Sequence, residues 1–207
     1  MEMDKKGIDL SHFNGDVDFK KVAAAGIEFA ILKATEGATV QDNKYSTYRT
    51  DARSSGIITG AYHYFRALSS TPEAQRDNIV KTLTAVGFDA TTEYFAIDAE
   101  LQGNDKATPD QLTDNLNKLL VLLGDEEIFR GKKPFIYCDN DFWKDHVLGD
   151  KYSFGDYPLW IADWDVDEPA IPSSWASKGK SWSIWQRSDK GRVDGIEVAV
   201  DLNVGRF

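Results

Sequence analysis

The order of apolar and polar positions divides the chain into short apolar runs and longer segments of helical spacing. Eight of the runs are rich in β-branched and aromatic residues, which is typical of buried strands. These runs are KGIDLS, EFAILKA, ITGAYHYF, EYFAIDAE, KPFIYC, YPLWIAD, SWSIWQ and EVAVDLN. The pattern therefore predicts a fold built on eight strands.

Segments of helical character separate the first five runs, and a brief one follows the fifth. Two of them open at Thr71-Pro72-Glu73 and Thr108-Pro109-Asp110, which is typical of an N-cap followed by Pro at the first helical position. The predicted helices are DFKKVAAAG, residues 42–55, residues 72–87, TPDQLTDNLNKLLVLLG and DNDFWKDHV. Beyond them, loops rich in Gly, Pro and Ser leave no room for full helices.

Five strand–helix units followed by three strands predict an α/β fold with a parallel sheet. Eight strands favour closure into an irregular TIM-like barrel. A doubly wound open sheet is the alternative, but neither G-x-G-x-x-G nor G-x-x-x-x-G-K-[ST] occurs, so nucleotide binding has no support. No linker, repeat or change of composition divides the chain, and residues 1–207 are interpreted as a single domain.

Four carboxylates stand at predicted strand ends. Asp98 and Glu100 close the fourth run, and because side chains alternate along a strand, both are expected to face the same way, roughly 6.5–7 Å apart along the backbone. Asp9 ends the first strand and Asp201 the last, and these strands are neighbours in a closed barrel. No buried Lys is expected to compensate the four acids. Repulsion and burial raise carboxyl pKa values, so one acid of the pair is expected to hold a proton and serve as a general acid, as in glycoside hydrolysis.

Aromatic side chains lie at or near the predicted strand ends, on the same rim as the acids. Sugar rings stack their C–H faces on such side chains, while their hydroxyl groups hydrogen-bond to Asp, Asn and Gln. Together with the acids, these side chains predict a saccharide groove. The candidate substrate-binding residues are Tyr62, Tyr64, Trp160, Trp164 and Trp185.

Charge and composition remove other classes of function. With 24 basic and 34 acidic residues the formal net charge is −10, which disfavours nucleic acid because phosphate neutralisation needs clustered Lys and Arg. Cys138 is the single cysteine, so neither an intramolecular disulfide nor a cysteine-based zinc site can form. The three histidines lack metal-binding spacing, and no metal or other cofactor is expected. His63 is expected to pack on the face opposite to its two tyrosine neighbours.

Seven stretches between Gly7 and Asn203 occur in the order and at about the spacing of one known family. The chain resembles the glycoside hydrolase family 25 lysozymes, the Chalaropsis-type N-acetylmuramidases, in GIDLSHFNGDVDFKKV, FAILKATEG, GAYHYF, FAIDAE, LWIADW, WQRS with the residues after it, and VDLN. This resemblance implies an irregular barrel of five βα units and three further strands. It also implies a lysozyme that hydrolyses the β-1,4 bond between N-acetylmuramic acid and N-acetylglucosamine in peptidoglycan.

The resemblance also implies roles for single residues. Glu100 matches the general acid of the family, Asp98 its partner carboxylate, Asp9 and Asp201 two supporting acids of the cleft, and Tyr62 a cleft tyrosine. The implied reaction retains anomeric configuration, with the substrate's own acetamido group as the nucleophile. That route is an exception to the two-carboxylate scheme, and a covalent glycosyl-enzyme intermediate is the alternative.

The chain departs from the family pattern at Trp164, where Tyr is frequent, and at Arg187, where an aromatic residue is common. Both positions are expected to touch the groove. Two other classes of function stay open. One is a catalytically inactive peptidoglycan- or glycan-binding module, and the other is a divalent-metal hydrolase acting through Asp9, Asp98 and Glu100.

Peptidoglycan glycan strands are the expected partner, and a monomer is expected to act on the bacterial cell wall in an extracellular or periplasmic space. The N-terminal MEMDKKGIDL is charged and unlike a signal peptide, which leaves the export route open. No apolar run reaches the roughly 18 residues that a membrane span needs. No cell-wall-binding repeat follows Phe207, so targeting is expected from the catalytic domain, a partner or a further segment.

Overall fold

The computed structural model describes residues 4–207, and this part of the chain forms nine strands. Their bounds are β1 Lys5–Leu10, β2 Phe29–Glu36, β3 Val40–Gln41, β4 Ile58–Tyr64, β5 Tyr94–Asp98, β6 Phe135–Asp139, β7 Leu159–Ala162, β8 Ile184–Gly191 and β9 Val200–Gly205. All eight predicted strands are confirmed, and β3 is a two-residue addition paired with β2. Residues 1–3 lie outside the described residues. They are the start of MEMDKKGIDL, the stretch that was predicted to be unlike a signal peptide.

Eight of the strands close into a barrel because β1 pairs on both of its sides. It runs parallel to β2, with Ile8 opposite Ala30, and antiparallel to β9, with Asp9 opposite Asp201. The rest of the ring follows the order β9-β8-β7-β6-β5-β4-β2. The predicted α/β barrel is confirmed. Because β9 runs against both of its neighbours, however, the sheet is mixed and the expectation of a parallel sheet is wrong for this strand.

Six helices accompany the barrel strands in the described part of the chain. Their bounds are α1 Phe19–Ala24, α2 Tyr45–Ser54, α3 Pro72–Ala85, α4 Pro109–Gly124, α5 Asn140–His146 and α6 Ser173–Ala176. The sequence predicted the first five, and α6 is a single turn in the Pro- and Ser-rich region. The side chains of Thr71 and Thr108 cap α3 and α4 as expected. None of the helices between residues 4 and 207 has the length and apolar character that crossing a membrane requires.

Side chains alternate between the two faces of each strand, so the barrel has one apolar layer outside the sheet and another inside it. Outward-facing strand residues such as Ile8 and Ile97 belong to the same packed cluster as Leu116 of α4. His63 also points outward and is fully buried, as predicted, with Thr35 and Gln75 at hydrogen-bond distance from its two ring nitrogens. The barrel interior is filled by a second cluster, whose buried members are Phe29, Ile31, Ala96, Phe135, Trp160 and Ile184.

A buried ion pair ties the amino-terminal end of β5 to α2. The Glu93 side chain is 1% exposed, and Arg49 donates to its two carboxylate oxygens at 2.8 and 2.6 Å. Thr59 Oγ1 and the backbone N–H of Asp89 donate to the same carboxylate. Burial alone would raise the pKa of Glu93, but these hydrogen bonds and the Arg49 charge lower it on balance. The carboxylate is therefore ionised and fully partnered inside the protein.

Replacing Arg49 by Met is expected to lower the free energy of unfolding by about 3 kcal/mol, because the buried Glu93 carboxylate loses its two-pronged partner. Urea unfolding followed by circular dichroism measures the loss. Lys118→Met, which breaks the exposed pair with Glu73, is the matched control and should leave the midpoint unchanged. Equal midpoints for the two variants would show that the buried pair contributes nothing to stability.

Candidate active site

The mouth of the barrel opens into a cleft of about 380 Å³ at the carboxyl ends of the parallel strands. Acidic and aromatic side chains dominate its walls, and all four predicted acids are among them. The lining residues are Asp9, Ser11, Phe13, Lys33, Glu36, Tyr62, Tyr64, Arg66, Asp98, Glu100, Gln102, Tyr137, Trp160, Gln186 and Asp201. Residues from both ends of the chain therefore meet in one cleft.

The acid pair is held at the end of β5 and in the loop that follows. The prediction that Glu100 lies on the strand is wrong, because β5 ends at Asp98. The backbone N–H of Ala99 still donates to the carbonyl of Tyr137 on β6, so the chain stays attached to the sheet for one more residue. The buried Asn104 then donates to the carbonyl of Glu100 at 2.9 Å. These bonds hold both side chains in the cleft.

Burial sets the protonation of this pair. Burial, with repulsion from Glu100 and Asp9, raises the pKa of Asp98 well above its ordinary value. Burial also raises the pKa of Glu100, although a hydrogen bond with Tyr64 opposes that rise. Among the described residues, none hydrogen-bonds to the buried Oδ1 atom of Asp98. The pair therefore holds a proton that an exposed pair would lose, together with an acceptor atom left for a ligand.

Asp9 and Asp201 form a second pair, directly opposite each other on β1 and β9. Asp201 lies at the start of β9 and not at its end as predicted, because this antiparallel strand begins at the mouth. Gln186 Nε2 and Asn203 Nδ2 donate to Asp9 Oδ2 at 2.9 and 2.7 Å. Burial raises the pKa of Asp9, and these two donors oppose the rise. Burial and the facing Asp9 raise the pKa of Asp201 to about 8, so we assign the proton of this pair to Asp201.

Both the sequence and the fold of this chain are similar to those of known proteins. The family model described as Glycosyl hydrolases family 25 matches residues 8–196. The chain belongs to this family. The resemblance inferred from the seven sequence stretches is thereby confirmed.

Two curated relatives and one solved structure illustrate the family 25 match. The autolytic lysozyme of Clostridium acetobutylicum is 33% identical over 198 residues, which cover 96% of this chain and 55% of that protein. Lysozyme M1 of Streptomyces globisporus is 30% identical, with coverage of 96% and 66%. The bacterial lysozyme structure from Streptomyces coelicolor superposes with a TM-score of 0.85 at 27% identity, covering 100% of this chain and 94% of that one. The chain thus spans between about half and two thirds of the length of these two curated relatives.

Lys33 corrects the expectation that no buried Lys compensates the acids. Its side chain is 9% exposed, lines the cleft, and places Nζ 2.6 Å from Glu36 Oε2 and 4.8 Å from the centre of the Tyr64 ring. Its charge opposes the rise in the pKa of both Asp98 and Glu100. The signal was present in EFAILKA, where Lys33 shares the strand face of Phe29 and Ile31.

Arg66 and Glu36 were also missed from the sequence. Arg66 donates to Glu36 at 3.1 and 2.5 Å and lies over the Tyr64 ring, 4.7 Å from its centre. The Tyr64 hydroxyl has two acceptors within reach, the Gln102 carbonyl at 2.8 Å and the Glu100 carboxyl group. Two cations and a carboxylate thus fix the ring that lies against Glu100. Glu36 ends β2 and Arg66 lies in the loop after β4, and no local pattern in the sequence relates these two positions.

Three of the five predicted aromatic residues line the cleft: Tyr62, Tyr64 and Trp160. Burial, followed by the nearby carboxylates Asp98 and Asp9, raises the pKa of Tyr62 well above its ordinary value, so its phenol stays protonated. Trp160 is almost fully buried, and its indole N–H donates to Asn203 Oδ1 at 2.8 Å. That bond leaves the Asn203 amide nitrogen directed at Asp9.

The other positions predicted to touch the groove, Trp164, Trp185 and Arg187, do not line the cleft. Trp164 is 45% exposed beside the cleft, and its indole N–H donates to Gln186 Oε1 at 3.0 Å. Trp185 does not line the cleft, because inward-facing Ile184 and Gln186 flank it and its own ring packs outward beside Trp182. Arg187 lines a separate hollow on the outer surface, so its expected contact with the groove is wrong as well.

Across residues 4–207, no group of three or more His, Cys, Asp or Glu side chains is placed to hold a metal ion. Amides donate to Asp9, Lys33 and Arg66 pair with Glu36, and Tyr64 hydrogen-bonds to Glu100.

Asp201→Asn is expected to stabilise the protein increasingly as the pH rises from 4 to 8. Across this window the folded protein holds a proton on Asp201, with a pKa of about 8, that the unfolded chain has lost, so wild-type stability falls with pH. The amide removes this dependence and still offers a donor to Asp9. Thermal unfolding at pH 4 and pH 8 measures the difference in stability between the variant and the wild type, with the exposed Asp165→Asn as control. A gain in melting temperature that is the same at pH 4 and pH 8 would contradict the proton on Asp201.

Proposed function

We propose that this chain is an N-acetylmuramidase, a lysozyme that hydrolyses the β-1,4 bond between N-acetylmuramic acid and N-acetylglucosamine in peptidoglycan. The observation that carries the proposal is the acid pair, in which the Oδ1 atom of the buried Asp98 lacks a partner among the described residues while partial burial raises the pKa of Glu100. The similarity to two relatives, an autolytic lysozyme and lysozyme M1, supports the same activity.

Glu100 acts first as the general acid. Its raised pKa keeps a proton available, and the proton passes to the glycosidic oxygen as the bond to the sugar breaks. Asp98 accepts the N–H of the substrate's 2-acetamido group at Oδ1, which directs the acetamido oxygen towards the anomeric carbon. The resulting oxazolinium ion is opened by water, whose proton returns to Glu100, and two inversions give overall retention.

Substrate binding decides which acid of the pair carries the proton. In the free cleft, burial raises the pKa of both carboxyl groups, with Lys33 opposing the shift of each. An amide N–H donated to Asp98 favours its ionised form. The shared proton then resides on Glu100, where the leaving oxygen needs it.

The remaining cleft residues shape the reacting sugar. Tyr62 and Tyr137 stay protonated in the cleft, because burial and then Asp98 raise both pKa values. Tyr137 donates its proton to Gln186 Oε1 at 3.0 Å, so Tyr62 is the phenol that offers a hydroxyl donor to the substrate. Asp9, held by Gln186 and Asn203, is a fixed negative charge that steadies the positive charge developing at the anomeric centre.

The organisation and setting of the protein are part of the proposal. Residues 1–207 act as one catalytic glycoside hydrolase domain, working as a monomer on glycan strands of the bacterial cell wall. The site of action is extracellular or periplasmic. A cleft lined by five carboxylates disfavours nucleic acid as a ligand.

Glu100→Gln is expected to reduce hydrolysis of purified peptidoglycan by about a hundredfold to ten-thousandfold, the range of a lost general acid. Digestion in EDTA, borohydride reduction and mass spectrometry detect fragments that end in reduced muramic acid. The exposed Glu127→Gln is the matched control and should digest as wild type does.

Three other outcomes of this experiment would contradict the proposed function or the role of Glu100. Full activity of Glu100→Gln would remove Glu100 from the chemistry. Loss of wild-type activity in EDTA would favour the metal hydrolase. Wild-type protein that sediments with peptidoglycan and releases no fragments would be a binding module.

A further inference from the structure

Exposed apolar side chains concentrate at the mouth of the barrel. Ten large apolar residues are exposed in the described chain, and seven lie on segments that follow a parallel strand or precede β9. These seven are Phe13, Val40, Leu68, Leu101, Trp164, Val166 and Val198. Singly exposed apolar residues are ordinary, so position in the cleft decides which of them bears on function. Only Phe13 of this set lines the cleft.

The backbone that carries Phe13 is anchored, although 78% of the residue is exposed. The ring lies on a single 3-10 turn, His12–Asn14, closed by reciprocal hydrogen bonds between Ser11 and Asn14. Asp42 accepts from the backbone N–H of His12 at 3.1 Å and lies 2.7 Å from its Nδ1. The turn is therefore anchored before any ligand arrives, and stacking on the ring needs little further ordering.

One side of the ring is already occupied. The His12 and Phe13 rings lie 4.0 Å apart between centroids at an angle of 37°. The high exposure of Phe13 leaves the remaining surface of the ring open beside the acids of the cleft. An open aromatic face next to hydroxyl-accepting carboxylates is complementary to a pyranose ring, which presents C–H bonds on its faces and hydroxyl groups at its edge.

The barrel places this ring away from the reacting bond. Phe13 follows β1 and Glu100 follows β5, and the shorter path around the ring of eight strands passes through β2 and β4. Three steps in a ring of eight put the two loops nearly opposite each other across the mouth. This separation across the mouth favours contact of Phe13 with a sugar other than the two that flank the bond at Glu100.

We infer that Phe13 is a stacking platform for a saccharide unit of the glycan strand beyond the two units at the cleaved bond. The inference rests on the proposed muramidase function and adds a binding contact that lengthens the recognised glycan. Because this contact is the same before and during bond cleavage, it governs KM and leaves kcat unchanged.

Phe13→Ala is expected to raise KM for an octasaccharide of alternating N-acetylglucosamine and N-acetylmuramic acid by about three- to tenfold, the range of one aromatic contact. The change in kcat should stay within about twofold. KM for the corresponding tetrasaccharide should rise less, and Phe13→Tyr should restore the wild-type value. Val121→Ala, which removes an exposed apolar side chain from α4, is the matched control.

The outcomes separate this inference from the proposed function. Wild-type protein that cleaves neither oligosaccharide would overturn the proposed function. Active wild type with an unchanged KM in Phe13→Ala would overturn the platform alone. A fall in kcat that is equal for both substrates would also overturn it, because Phe13 would then support the reacting groups instead of a distant sugar. Circular dichroism of Phe13→Ala at the assay temperature excludes unfolding as the cause of a rise in KM.

Discussion

The pairing of β1 with both β2 and β9 is the contact on which the site depends. It joins the first strand of the chain to the last and turns an open sheet into a ring. Asp9 and Asp201 are thereby set opposite each other, and both face the cleft that β5 supplies with Asp98. A cleft of like charges is the direct consequence of closure, and the proton chemistry follows from it because buried neighbouring carboxylates cannot all ionise.

The structure offsets the repulsion between these carboxylates at some of them and not at others. Gln186 and Asn203 are oriented by Trp164, Tyr137 and Trp160, and their amide groups donate to Asp9 while Asp201 keeps its proton. Lys33 opposes the rise in pKa at the Asp98 and Glu100 pair without neutralising either acid. Ionised and protonated carboxyl groups therefore alternate in one small volume. Such an arrangement trades stability for chemistry, in contrast to the fully partnered Glu93 at the amino-terminal end of β5.

Local patterns in the sequence predict most of the fold, because strand and helix signals are local. The apolar runs predicted every barrel strand, and the helical spacing, with the caps at Thr71 and Thr108, predicted the first five helices. Strand direction is not a local property, so EVAVDLN predicted β9 without its reversal and put Asp201 at the wrong end. Because side chains alternate along a strand, the inward-facing Ile184 and Gln186 indicate that Trp185 faces outward. The prediction nevertheless placed Trp185 in the groove because it is aromatic and near a strand end. Lys33 was missed because an apolar run hides a single buried cation.

The Asp98 and Glu100 pair keeps one proton where exposed carboxyl groups have lost theirs. Carbon-13 NMR titration of the two side-chain carboxyl groups in the wild-type protein measures this directly. The pair is expected to release its last proton at a pH well above about 4, the ordinary pKa of these groups, and at a still higher pH when Lys33 is replaced by Met. Release of both protons near that ordinary value, with no effect of Lys33→Met, would contradict it.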